Sequence, residues 1–194
     1  MMTTPKRLPE ILTEQERVAL LKQPNRKAPT GLRNLCMMVL MLNTGLRVAE
    51  VINLRVRDID WMSGKLMVRE GKGARDRTLW IGEEDLELLG KWRERRPISS
   101  ECLFTTLQGE PLDTRYMRTM VKRLAKKAGI DKDVHPHTLR HTFATDLYKT
   151  TKNIRLVQKA LGHSDLSTTM IYTHIVDDEM EDALRSFGQK RSTE

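Results

Sequence analysis

Cysteine is almost missing from this chain: Cys36 and Cys102 are the only two in 194 residues. Both sit among apolar neighbours and at no metal-ligand spacing, which leaves two buried free thiols in a reducing compartment. No apolar run is long enough to cross a bilayer. The first ten residues, MMTTPKRLPE, contain no apolar signal core. These absences lead to the expectation of a cytoplasmic protein with no membrane contact. Proline and glycine are sparse, at 7 and 11 residues, which argues for a mostly helical globular protein. Acid is in short supply as well. Asp and Glu number 26 against 34 Lys and Arg, a formal net charge of +8. An excess of that size suits a polyanion, with nucleic acid first and an anionic membrane surface second.

The length allows one domain or two small ones. Residues 1–10 read as a polar tail. Thr13 and Glu16 in LTEQERVALLK form a capping box and start a helix. LRNLCMMVLMLNTG is apolar on nearly every side, the pattern of a buried helix, and Gly45 is placed to stop it. LRVAEVINL restarts a short helix. Between Val56 and Gly82 come three short extended runs, separated by Ser63-Gly64 and Gly71-Lys72-Gly73. They predict a small three-stranded antiparallel sheet, and CLFTT reads as one more short strand. EEDLELLGKWRERR is helical. In DTRYMRTMVKRLAKKAG, Met117, Val121, Leu124 and Ala128 share one helix face; Arg115, Arg118, Lys122 and Lys126 share the opposite one. With the global charge, that basic face reads as a DNA-backbone contact. Helices follow in HPHTLRHTFATDLYKT, NIRLVQKALGH and LSTTMIYTH. A last one, DDEMEDALRSFG, has Met180, Ala183, Leu184 and Phe187 on one side. The fold class expected is mainly α (α+β), a helical domain with a small sheet.

Two easy motif matches fail. His137 and His141 stand four apart, as in a zinc-binding H-E-x-x-H, but Thr138 occupies the position of the glutamate and no third ligand is evident. Gly71-Lys72-Gly73 lacks the Ser or Thr and the upstream glycine of a P-loop.

What remains is a set of residues awkward to explain as packing. Arg47 opens a helix, where a cation opposes the macrodipole unless an anion binds there too. Lys72 lies between two glycines at a hairpin tip. His135, His137 and His141 cluster around Arg140, three of the chain's 5 histidines. Tyr172 is one of only 3 tyrosines and lies between His163 and His174. In chain order the set is Arg, Lys, His, Arg, His, Tyr. Two arginines match the non-bridging oxygens of a phosphate. A tyrosine hydroxyl, with a free pKa of about 10, needs neighbouring cations and a proton acceptor to become a nucleophile. Tyr116 and Tyr148 are the other candidates for that role.

Four segments in this order resemble the tyrosine recombinases (phage integrase family). TGLRVAEVINL is similar to the family's first arginine box, with Arg47 and the acid Glu50. EGKGARDRTL is similar to its hairpin-lysine segment, with Lys72; HPHTLRHTFAT to its H-x-x-R box, with His137 and Arg140; and LGHSDLSTTMIYTH to the segment of His163 and the nucleophile Tyr172. The resemblance covers about Leu8 to Phe187. It implies site-specific DNA recombination through a 3′-phosphotyrosyl intermediate, with no metal and no cofactor. Arg47, Arg140 and His163 would hold the non-bridging oxygens, Lys72 would protonate the leaving 5′-oxygen, His137 would assist the Tyr172 proton, and Glu50 would support Arg47. Binding to double-stranded DNA, a monomer in free solution and a homotetramer on paired sites are implied, in a cytoplasm of bacterial or phage origin. The division implied is a tail at 1–10, a catalytic domain at 11–176, and a helix and tail at 177–194 that packs in cis or docks in trans. The helical core-binding domain that precedes this region in most members is absent, leaving either a cut-out catalytic domain or a minimal recombinase. A non-catalytic basic DNA-binding regulator and a type IB topoisomerase-like relaxing activity are the competing readings.

Overall fold

The structure is a computed structural model that describes residues 9–69, 76–163 and 169–172. Lys72, His174, the 177–194 segment and most of the N-terminal tail lie outside the described residues.

Helix α1 (Glu14–Leu21) begins as the sequence predicts. The Thr13 hydroxyl accepts from the Glu16 N–H, and the Glu16 carboxylate accepts from the Thr13 N–H at 2.7 Å. Helix α2 (Pro29–Thr44) starts on a proline and is buried on nearly every side. It is the hub of the domain, packed against α4 (Glu83–Arg95) on one flank and α6 (Pro136–Thr151) on another. Gly45 ends it in the left-handed region, with φ 65°. The chain then turns into α3 (Val48–Asn53), whose N-cap is Arg47. Helix α5 (Thr114–Lys127) buries Met117, Met120, Val121, Leu124 and Ala125 and leaves Arg115, Arg118, Lys122 and Lys126 exposed, as its pattern predicts. Helix α7 (Ile154–Leu161) stops at Gly162, again left-handed.

The sheet is smaller than expected. Among the described residues it has two antiparallel strands, β1 (Lys65–Val68) and β2 (Arg77–Trp80), with Leu66 opposite Leu79. The first of the three expected runs is instead a 3₁₀ turn at Val56–Asp58 followed by a single bridge, Ile59 to Leu66. Side-chain chemistry explains the difference. The Asp58 carboxylate accepts from the Arg55 N–H at 2.9 Å, and Asp60 accepts from Met62 and Ser63, so both acids pull the chain into turns. CLFTT is not a strand either, and makes only isolated bridges. Its carbonyls are taken by side chains: Cys102 O by Arg96, Leu103 O by Trp92 Nε1 and Thr105 O by Arg33. Cys36 is buried as expected, whereas Cys102 is only half-buried.

Two apolar clusters result. The larger surrounds α2. The smaller comprises Ala144, Tyr148, Val157, Leu161 and Tyr172, between α6, α7 and a 3₁₀ turn at Met170–Tyr172. The LSTTMIYTH helix is thus seen only as that turn, since residues 164–168 and 173 onward lie outside the described residues. Phe143 of α6 packs over Gly45 so closely that a Cβ there would overlap its ring.

Gly45→Ala is therefore expected to lose about 2–4 kcal/mol, combining left-handed strain with overpacking. A Cβ at Gly90, in the middle of α4, meets nothing within 4 Å. Gly90→Ala is expected to gain about 0.5–1 kcal/mol. Urea denaturation midpoints of the two variants check both signs.

Candidate active site

The last carbonyls of a helix lack internal partners and carry the negative end of its dipole. At the end of α7 these groups are met by arginines from three other elements. Arg77 Nε, from β2, donates to Ala160 O at 2.9 Å. Arg140 Nη2, from α6, donates to Leu161 O at 2.8 Å. Arg47 Nη2, at the start of α3, reaches Gly162 O at 3.5 Å. Arg140 also donates through Nη1 to Gly45 O, tying the end of α2 to the end of α7.

Among the described residues, Glu50 is the acid bonded to two of these arginines. Glu50 Oε1 accepts from Arg47 Nη1 at 3.0 Å and from Arg77 Nη1 at 2.9 Å; Oε2 accepts from the Arg47 backbone N–H at 2.7 Å and from Arg77 Nη2 at 2.8 Å. Burial raises the Glu50 pKa, but hydrogen bonds and charge from Arg77 outweigh it, and the carboxyl stays below its ordinary range. Arg140 is brought down to about 10, by burial first and by the repulsion of Arg47, which leaves it protonated at neutral pH. Three guanidiniums converging on one helix end concentrate positive charge there.

His163 completes the cluster. Its Nε2 lies 3.1 Å from Arg140 Nη2. A guanidinium can only donate, so Nε2 accepts, Nδ1 carries the proton, and Nδ1 donates to the Thr169 hydroxyl at 2.9 Å. The imidazole is thus neutral, in keeping with a pKa pushed down to about 4 by burial and then by Arg140 and Arg47.

Tyr172 is 1% exposed, and its hydroxyl lies 2.7 Å from His141 Nδ1. Burial pushes the phenol up to about 12, only partly offset by Arg140, and pushes His141 down to about 4. Both are neutral at physiological pH, and the phenol, the stronger acid, donates. His137 sits one helical turn before His141 on α6 with its side chain reaching the surface, and its pKa is lowered by partial loss of solvent around the ring and by His135. It faces a cavity of about 400 Å³ that Arg118, Lys122, Asp133 and His135 also line. Part of the basic face of α5 therefore opens onto the same space as His137. Arg115 and Lys126 do not line it, and Lys122 is paired with Asp133 at 3.0 Å.

The tertiary structure thus gathers Arg47, Glu50, Arg140 and His163 into one site, with Tyr172 beside Arg140's helix. Of the other tyrosines, Tyr116 is engaged by Asn34 and Arg33, and Tyr148 lies in the smaller core. One residue at the site, Arg77, was not singled out by sequence reasoning, though the alternation in RTLW puts it on the same buried face as Leu79. His141 stood in the histidine cluster around Arg140 but was given no role.

The sequence profile of the phage integrase family matches residues 10–179. The tyrosine recombinase XerD of Halalkalibacterium halodurans is 40% identical over 188 residues, covering 94% of this chain and 62% of that one. XerC of Xanthomonas axonopodis pv. citri is 39% identical over 172 residues, covering 88% and 56%. This chain therefore spans about three-fifths of the length of these curated relatives. Among solved structures, XerA recombinase superposes with a TM-score of 0.80 at 34% identity over 94% of this chain and 66% of that one. XerH recombinase, in a post-cleavage complex with a palindromic difH substrate, superposes with a TM-score of 0.79 at 31% identity, over 92% and 53%.

His141 and His163 bind protons less readily folded than unfolded, with pKa values near 4 against an ordinary 6.5. The unfolded chain takes up protons first, so stability is lost as pH falls from 6.5 through 4. The thermal midpoint is expected to drop across that window, and His141→Gln, which keeps a partner for the Tyr172 hydroxyl without titrating, is expected to make the drop shallower.

Proposed function

This chain belongs to the phage integrase family of tyrosine recombinases, and from that we propose that it cuts and rejoins duplex DNA by transesterification, with Tyr172 as nucleophile. The observation that carries the reading is the convergence of Arg47, Arg77 and Arg140, from three different elements, on the end of α7 beside Glu50 and His163. Such a cluster of guanidinium donors suits the oxygens of a phosphodiester.

In this reading Arg47, Arg140 and His163 hold the non-bridging oxygens and stabilise the charge that builds on them in the transition state. The Tyr172 oxygen attacks phosphorus, a 3′-phosphotyrosyl bond forms, and the bond to the 5′-oxygen breaks. Lys72 protonates the departing oxygen. His137, close enough to feel the charges of Arg140 and Arg47, contacts the phosphate and assists the Tyr172 proton, with His141 as the hydroxyl's immediate neighbour. The 5′-hydroxyl of a second duplex then reverses the step, so that strands are exchanged with no external energy source. Exchange between two duplexes calls for four copies of the chain on paired sites.

The buried Tyr172 supports a further element of the reading. Burial pushes the phenol up to about 12 while Arg140 acts against that shift. In this reading the cations of the site are what activate the hydroxyl for attack. The exposed Arg115, Arg118, Lys122 and Lys126 supply the contact to the duplex backbone. The bacterial relatives and a DNA substrate support a cytoplasmic setting for this work.

A nicked duplex carrying a recombination site, such as the difH substrate bound by XerH, tests the chemistry. A covalent protein–DNA adduct is expected with the wild-type chain and none with Tyr172→Phe; an adduct that survives the substitution puts the nucleophile elsewhere. DNA affinity is expected to fall steeply with salt, and removing Arg118 or Lys126 to flatten the log–log slope by about 1 each. A flat salt response in the wild type speaks against DNA as the partner.

A further inference from the structure

Arg77 has no assigned step in the reaction above, yet it is the more deeply buried of the two arginines bonded to Glu50. Its side chain is 6% exposed, that of Glu50 10%, and that of Arg47 37%. It engages both Glu50 oxygens at 2.9 and 2.8 Å and anchors its Nε on Ala160 O. Such a two-pronged contact is the strongest that a guanidinium makes with a carboxylate. The Arg47 side chain meets Glu50 at Oε1, 3.0 Å away.

The arrangement is a competition. Glu50 is fixed three residues after Arg47 on the same short helix, and Arg47 is within its reach whatever else changes. With Arg77 present, both Glu50 oxygens are met from the buried side, and the Arg47 guanidinium shares Oε1. Without Arg77, Glu50 becomes a buried acid whose nearest cation is Arg47. The Arg47 fork would then close on it, and the positive charge offered to an incoming anion would be cancelled internally. The same arginine joins β2 to the end of α7, so the strand, Glu50 and the helix that leads to His163 are held in one register.

We propose that Arg77 is a positioning residue that keeps Arg47 available to the scissile phosphate by serving as the dedicated counter-ion of Glu50. The proposal rests on the DNA-cleavage reading and adds to it a residue that never touches the substrate.

Its test is a rescue that a purely structural role would not produce. Single-turnover adduct formation on a nicked site that the wild-type chain cleaves is measured for Arg77→Met, Glu50→Gln and the pair together, with thermal unfolding of each. Arg77→Met is expected to slow the reaction about a hundredfold, because an uncompensated buried acid recruits Arg47. Adding Glu50→Gln removes that acid, and the double variant is expected to recover at least about tenfold over Arg77→Met. A double variant as slow as Arg77→Met, or slower, overturns the proposal, as does an Arg77→Met rate equal to wild type. Arg77→Gln, which keeps donors for Ala160 O and one Glu50 oxygen while removing the charge, is measured with and without Glu50→Gln and is expected to give the same order of rates, so the outcome does not hang on the folding of one variant. Failure of the parent reading is recognised separately, by wild-type protein that makes no adduct or by an adduct that persists in Tyr172→Phe.

Discussion

The C-terminal end of α7 organises this domain. A helix end is an unusual place to gather three guanidiniums, because like charges repel and burial strips them of water. Here the repulsion is offset twice. The carbonyls of Ala160, Leu161 and Gly162 offer the negative end of a helix dipole, and Glu50 offers a full charge. Each arginine comes from a different element, so the same contacts that make a positive pocket also tie β2, α3 and α6 to α7. Binding potential and tertiary structure share one set of bonds, and neither can be removed without the other.

That sharing explains the strict geometry around the pocket. Gly45 lets α2 stop in time for Arg47 to open α3, and its carbonyl takes one arm of Arg140. Gly162 stops α7 and frees its last carbonyls for the arginines. The apolar hub of α2 holds these ends at fixed separation, since it is buried along nearly its whole length. Rigid placement matters for a site that works by electrostatic stabilisation, where donors have to be aimed before charge develops. The phenol of Tyr172 is held differently. It belongs to the smaller core and is bonded to His141, with Arg140 near enough to act on it through charge. In the proposed reaction the phosphate clamp is preassembled, and the nucleophile is held by a separate apolar cluster.

Much of the fold was legible in the chain because the signals were local. The Thr13–Glu16 box, Pro29 at the start of α2, Gly45 at its end and the two-faced pattern of α5 each act within a few residues. The third strand was not legible, because Asp58 and Asp60 draw donors two or three residues away into turns, and the extended pattern of the run does not show which competitor wins. CLFTT failed because its carbonyls are claimed by side chains at separations of 6, 11 and 72 residues.

The site divides along the same line. The sequence by itself determined which residue types were present in the order of Arg47, Lys72, His137, Arg140, His163 and Tyr172, and so the kind of chemistry available, because the identity of a side chain sets its charge and its donors. Its pairing is another matter. Glu50 read as the partner of Arg47, three residues away, yet its two-pronged partner is Arg77, at a separation of 27. His141 gained its contact with Tyr172 across 31 residues. Only the tertiary structure decided these, because hydrogen bonds and Coulomb forces act through space at a few ångströms, and the chain's order does not say which distant groups will be brought that close.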